Sequence, residues 1–231
     1  MNETVLITGS SQGLGKALAM VFAENGYNIV LHGRDSEKLS ETRERVLEKE
    51  VECYVVKGDL RDSSTISDIA DAVKKNNVSV FVNNAAIISK TLVQHIEDSE
   101  VDKVLDVNLA STIKLTSRVY SAFLEKKSGM IISILSSAGL KPEVKNGLYC
   151  ASKYGLRGFI DCLRLEAKDN NIRVLGVYPS GMHTEFHDRI GGHPDIGLTM
   201  DTGEVAKAVV GLVGYDSVHV NEIVLDRMYR K

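Results

Sequence analysis

The sequence predicts an α/β fold, a doubly wound parallel sheet of about seven strands with helices on both faces. Three observations carry the prediction. Short runs rich in Val and Ile alternate with longer amphipathic stretches along the 231 residues; strands that alternate with helices are joined by right-handed crossovers into a parallel sheet. The strand runs are apolar throughout, as burial on both faces requires. A glycine-rich turn stands between the first strand and the first helix, where such sheets bring backbone close to a ligand.

Taken in order, Thr4–Thr8 is a β-rich run that ends at Gly9. Gly9, Gly13 and Gly15 follow in the spacing G-x-x-x-G-x-G, and an apolar helix opens with Leu14, Ala17, Leu18, Val21 and Phe22 before Gly26 stops it. Glycines allow close approach to a phosphate, and a helix N-terminus offers free N–H groups and a positive dipole end. The plain alternative is a tight turn with no ligand. The second strand is 28–33, and the charged helix 37–49 turns Leu39, Val46 and Leu47 inward. The third strand, 51–57, ends at Gly58-Asp59-Leu60. The helix 63–75 carries Ile66, Ile69, Ala70 and Val73 on one face. The fourth strand, 78–82, stops at Asn83-Asn84-Ala85-Ala86, and two separate helices are expected at 99–109 and 112–125. The fifth strand, 130–135, ends in Ser136-Ser137-Ala138-Gly139. Leu148, Gly155, Leu156, Phe159, Ile160 and Leu163 then recur at a helical spacing. The sixth strand, 172–178, ends at Pro179. The region 180–200 is irregular and glycine-bearing, and reads as a substrate lid. A last helix at 204–213 and a last strand at 222–225 complete one domain over 1–231, without internal repeats or linkers.

A formal net charge of −3 gives no electrostatic reason to expect nucleic acid or an anionic membrane. No apolar run reaches the ~18 residues of a membrane span, and no basic, cleavable leader opens the chain. Cys53, Cys150 and Cys162 are irregularly spaced and odd in number. That pattern fits reduced thiols in the cytoplasm, with neither a disulfide frame nor a zinc site. His183 and His187, with Glu185 between and His193 nearby, form no complete ligand set, so no metal is expected.

The chemistry centres on Tyr149 and Lys153. Residues i and i+4 share a helix face, so a phenol and an ammonium are held side by side. The ammonium is expected to lower the tyrosine pKa and ready it for proton exchange with an alcohol oxygen. By itself the pair is weak evidence, because with eight tyrosines such a spacing readily arises by chance. It gains weight because six strand ends present notable residues at one edge: the Gly9–Gly15 turn, Arg34, Asp59, Asn83, Ser136 and Pro179. Ligands of open parallel sheets bind at that edge.

Thr8-Gly9-x-x-x-Gly13-x-Gly15, Asp59, Asn83-Asn84-Ala85, Asn108, Ser136, Tyr149-x-x-x-Lys153 and Pro179 with Thr184 together resemble the short-chain dehydrogenase/reductase family. The resemblance runs from Thr8 to about Thr184. It implies a Rossmann-like sheet, a nicotinamide cofactor and interconversion of an alcohol and a carbonyl. It further implies Tyr149 as acid/base and Lys153 as holder of the nicotinamide ribose. Ser136 is the implied hydrogen-bond partner of the carbonyl, and Asn108 the support of a relay water. The implied cofactor site comprises Gly9, Ser10, Ser11, Gly13, Leu14, Gly15, Asp59, Leu60, Asn83, Ala85, Lys153, Pro179 and Thr184. A homodimer or homotetramer is expected, acting on a small carbonyl or alcohol. A dinucleotide-sensing protein of the same fold without turnover is the alternative; loss of Tyr149, Lys153 or Ser136 would have favoured it, and none is lost. Ala86 and Ser180 stand where the family usually has glycines, and the ending Asp226-Arg227-Met228 departs from its common Asp-Gly-Gly.

Arg34, at the end of strand two, offers a guanidinium to a ribose 2′-phosphate, which favours NADP(H) over NAD(H). Ser10 or Ser11 is expected to add hydrogen bonds to the same phosphate. Asp35 is the competing acid, though before a charged helix it reads more simply as an N-cap. Substrate choice is expected to lie in 86–96, 138–148 and 180–200.

Overall fold

The alternating runs close into one sheet. The computed structural model describes residues 2–182, 199–215 and 217–227. Its strands are β1 (Thr4–Thr8), β2 (Asn28–Gly33), β3 (Cys53–Lys57), β4 (Val78–Asn83), β5 (Gly129–Ile134), β6 (Ile172–Pro179) and β7 (Glu222–Leu225). All pair in parallel, in the order β3-β2-β1-β4-β5-β6-β7. The order reverses between β1 and β4, and a crevice opens at such a switch point.

Strand alternation sorts the core into two layers. Val5 and Ile7 of β1 face a layer with helices α1 (Gly13–Glu24), α2 (Ser36–Leu47) and α7 (Thr202–Val210). Leu6 faces the opposite layer, with α3 (Ser63–Lys75), α5 (Ser111–Lys126) and α6 (Gly147–Ala167). The central strands are buried on both faces, as their apolar runs require. The two edges differ: Val55 of β3 and Val224 of β7 are exposed, because each strand has a neighbour on one side only.

Three departures from the sequence reading have a visible cause. Strand β3 begins at Cys53, after Glu50 turns the chain with φ 58° and closes the end of α2 by its N–H to the Leu47 carbonyl. The helix α7 begins earlier than 204 because Asp201 caps it, its carboxylate accepting from the Glu204 N–H at 3.0 Å. The two helices expected between β4 and β5 are joined: α4 (Asp98–Leu105) runs through a π-helical turn, Asp106–Ala110, into α5. Asn108 sits in that turn, bonded to Ile87 on the loop after β4.

Most of the expected lid, and with it Thr184, His183, His187 and His193, lies outside the described residues. At its edges Met182 pairs with Met200, whose N–H donates to the Gly181 carbonyl at 3.0 Å. Among the described residues no helix is long and apolar enough to cross a membrane, and no group of three His, Cys, Asp or Glu could hold a metal ion.

Candidate active site

A cleft of about 700 Å³ runs along the carboxyl edge of the sheet, from the end of β2 to the end of β7. At the β1 end its wall is backbone. Gly9 has φ +66°, and a Cβ there would lie 2.9 Å from the Cα of Ala85. A Cβ on Gly15 would collide with the Gly9 carbonyl and lie 2.5 Å from Asn84 Nδ2. The first turn of α1 has no acidic residue, and Gln12 gives it no side-chain cap. Open N–H groups beside a side-chain-free cradle suit a phosphate, so these residues fit the dinucleotide that the fold family implies. Ser11, Gly13, Leu14, Leu60 and Ala85 also line this end.

Two expected cofactor residues do not face the cleft. The Ser10 hydroxyl is fully buried, donates to the His32 carbonyl and accepts from the His32 N–H, stapling the glycine turn to β2. Its side chain is committed to β2 and is turned away from the cleft. Asn83 is buried too, and its Nδ2 donates to Thr116 Oγ1 at 2.8 Å, tying β4 to α5. The next residue, Asn84, lines the cleft and donates to the carbonyls of Thr8 and Gly9 at 2.9 and 3.1 Å.

Arg34 and Asp59 meet at the end of β2 and β3, 3.3 Å apart, and Arg61 grips the same carboxylate at 3.0 Å. The Arg61 guanidinium, with help from Arg34, holds the Asp59 carboxyl well below the usual carboxylate range. Arg34 remains 53% exposed, so it can turn to a second anion while Arg61 keeps Asp59 paired. Asp35 caps α2, accepting from the N–H groups of Glu37 and Lys38 at 3.1 Å. His32, beneath them, is pushed down to about 4 by burial and stays neutral.

At the other end, Tyr149, Lys153 and Ser136 share the cleft. Ser136 has φ 136°, a conformation unfavourable for a side-chain-bearing residue. The Ala138 N–H to its hydroxyl and the Gly139 N–H to its carbonyl hold it there. Its hydroxyl is hydrogen-bonded to Tyr149. Lys153 is 3% exposed and donates to the Ile134 carbonyl at 2.9 Å, with Nζ 5.6 Å from the Tyr149 ring centroid. Burial pushes Tyr149 up to about 12, against the Ser136 hydrogen bond, and pushes Lys153 down to about 8. The direction is opposite to the expected lowering: burial acts on the Tyr149 phenol more strongly than the Ser136 hydrogen bond does, and the Lys153 ammonium is turned to a backbone carbonyl.

Asn108 is buried outside the cleft wall. Its amide accepts from Ile87 N–H, donates to Ile87 O, and reaches Ser152 Oγ at 3.1 Å; Ser152 in turn donates to the Tyr149 carbonyl at 2.7 Å. Its bonds link the loop after β4 to α6 and its tyrosine.

The chain matches the family described as short chain dehydrogenase over residues 3–194. The chain belongs to that family. An uncharacterized oxidoreductase of Listeria monocytogenes is 30% identical, aligned over 82% of this chain and 78% of its own. A short-chain dehydrogenase from Sphingobium yanoikuyae, solved in complex with NADPH, superposes with a TM-score of 0.88 at 25% identity, covering 96% of this chain and 87% of that one. An actinorhodin polyketide ketoreductase variant with NADPH gives 0.87 at 28% identity, covering 97% and 96%. As a member of the short-chain dehydrogenase family the protein is an oxidoreductase. The sequence reading did not name Arg61, and it reached Asn84, Glu143, Asn146 and Arg227 only as members of a motif, of the 138–148 stretch and of the chain's ending, without a role for each. Asn84 was legible in the Asn-Asn pair, and the 138–148 stretch was legible as a loop without its individual contacts.

Proposed function

We propose that this oxidoreductase reduces a small carbonyl compound with NADPH, Tyr149 serving as the proton donor. The observation that carries the reading is the Ser136–Tyr149–Lys153 constellation, placed in one cleft with a glycine cradle and Arg34. Gly9, Gly13 and Gly15 would hold the pyrophosphate, Arg34 the 2′-phosphate, and Lys153 the ribose beside the nicotinamide. When bound, the nicotinamide supplies or accepts a hydride. Ser136 Oγ and the Tyr149 hydroxyl would hold the carbonyl oxygen. With its pKa near 12, Tyr149 carries its proton at neutral pH and can deliver it to that oxygen. Lys153, charged below about 8, offsets the negative charge that then develops on the phenolate. Reduction is thus favoured at neutral pH, and alcohol oxidation, which needs the phenolate, gains as pH rises.

Arg34 favours NADPH over NADH, and Asp35 does not oppose it, since its carboxylate is engaged at the start of α2. The Tyr154 and Leu165 side chains exposed on α6 support a homo-oligomer paired through α5 and α6; light scattering tests it. The functional test is a panel of ketones and aldehydes followed by NADPH absorbance. Absence of NADPH-dependent turnover across the panel would favour the non-catalytic alternative.

A further inference from the structure

The loop between β5 and α6 adds a second polar feature beside Tyr149. Asn146 stands one turn before Tyr149, at the N-terminus of α6, and i, i+3 spacing puts the two on one face. Asn146 lines the cleft although it is only 4% exposed. Its Nδ2 donates to Glu143 Oε2 at 2.6 Å, while its Oδ1 has no hydrogen-bond partner among the described residues. It does not cap α6 with its side chain, so helix formation does not explain why it is buried there. Glu143 also lines the cleft and lies close enough for its charge to act on Tyr149. No ion pair to Glu143 is found among the described residues; its side-chain partner there is the neutral amide. The cations nearby serve another carboxylate. Lys141 and Arg227 act on Asp226, which the Ser180 hydroxyl and the Arg227 N–H also hold below its usual range.

A buried acceptor without a donor is costly in a folded protein. Here the burial goes with holding Glu143: the Asn146 amide fixes a carboxylate on the cleft wall, and a carboxylate so held suits a ligand that brings a donor. The Glu143 carboxylate, exposed in the cleft and steadied by the Asn146 amide, selects for N–H or O–H and against a second acceptor.

We infer that Glu143 and Asn146 form a subsite for a hydrogen-bond donor, a hydroxyl or ammonium group, on the carbon next to the substrate carbonyl. The preferred substrates are then α-hydroxy or α-amino ketones. This rests on the carbonyl-reductase reading above. A site built to bond a substrate donor rejects the analogue that lacks it, because its own buried groups are left unpaired.

The test compares acetophenone, 2-hydroxyacetophenone and 2-aminoacetophenone as substrates with NADPH, for wild type, Glu143→Gln and Asn146→Ala. Wild type should prefer at least one donor-bearing ketone by about 10-fold or more in kcat/KM. In both variants that ratio should fall to within about threefold of unity. The hydroxy and amino arms tell which donor is read, and Glu143→Gln should depress the amino arm more because it removes a charge. Since the ratio is taken within each variant, a general loss of activity or of folded protein cancels. Turnover of all three ketones at similar rates by wild type, or a preference that both variants keep, overturns the inference and leaves the reductase reading standing. Turnover of none of the three overturns both.

Discussion

The two ends of the cleft are built from different material. Over β1 and β2 the wall is backbone: Gly9 and Gly15 leave no room for a Cβ, and the first turn of α1 presents N–H groups. Over β5 to β7 the wall is side chains drawn from distant elements: Ser136 after β5, Glu143 and Asn146 on the following loop, Tyr149 and Lys153 on α6, Arg227 after β7. Under the proposed function, the difference follows from the ligand each end would serve. A pyrophosphate is recognised by N–H groups and space, which any chain supplies with glycines at a fixed spacing. A substrate is recognised by functional groups, and these must be placed individually.

The largest expected effect breaks the side-chain end alone. Tyr149→Phe keeps the ring and removes the proton donor, so kcat should fall by about 10³-fold while the NADPH dissociation constant is unmoved. Turnover near the wild-type rate would take the acid role away from Tyr149. Gly15→Ala attacks the backbone end. The new Cβ meets the Gly9 carbonyl and Asn84 Nδ2, neither of which can give way without moving the turn. Overpacking of this kind costs about 1–3 kcal/mol, so NADPH affinity measured by fluorescence titration should drop by about 10- to 100-fold. An unchanged affinity would mean that the turn does not cradle the cofactor.

Arg34→Ala is milder, because the guanidinium is half exposed and already shared with Asp59. NADPH should bind about 10-fold more weakly and NADH should be almost unaffected. Equal losses for both cofactors, or a wild-type preference for NADH, would assign the ribose to Asp35 after all. The combined titration separates charge recognition at the end of β2 from the shape recognition that Gly15 tests.

The same difference governs what was legible beforehand. Seven strands, their order of appearance and the glycine turn could be read because period and spacing are local properties. Tyr149 and Lys153 could be read because a helix fixes what lies four residues apart. Ser10 and Asn83 were misplaced because a one-residue step along a strand end turns a side chain from the ligand to the core; His32 and Thr116 claim them there. Glu143 and Asn146 meet through an irregular loop in which Lys145 has φ 67°, and no periodicity describes such a path. Arg227 reaches the cleft only because β7 pairs with β6 in the register Pro179↔Leu225. The sign of the Tyr149 shift was hidden for another reason: spacing reports proximity of charge, whereas dehydration depends on everything packed around the pair.

The smallest expected effect asks what that dehydration does to stability. Lys153 is buried at the side-chain end and its pKa is pushed down to about 8 from 10.5. Below about 8 the folded protein must keep a charged ammonium out of water. The shift corresponds to a destabilisation of about 3 kcal/mol. As pH rises from about 8 towards 10.5, the folded state releases a proton that the unfolded chain still binds, so this destabilisation is relieved. Lys153→Met fills similar space without the charge. It loses the hydrogen bond to the Ile134 carbonyl, worth roughly 1 kcal/mol, and a well-fitting apolar chain adds at most a small packing change. The variant should therefore be inactive yet more stable than wild type by about 1–2 kcal/mol near neutral pH. That advantage should shrink to nothing near pH 10. Urea unfolding of both proteins at the two pH values measures it, and other titrating groups, Tyr149 included, cancel to first order in the difference. A variant destabilised equally at both values would mean that Lys153 is an ordinary packing residue, and that the substrate end of the cleft carries no stability penalty that the glycine end avoids.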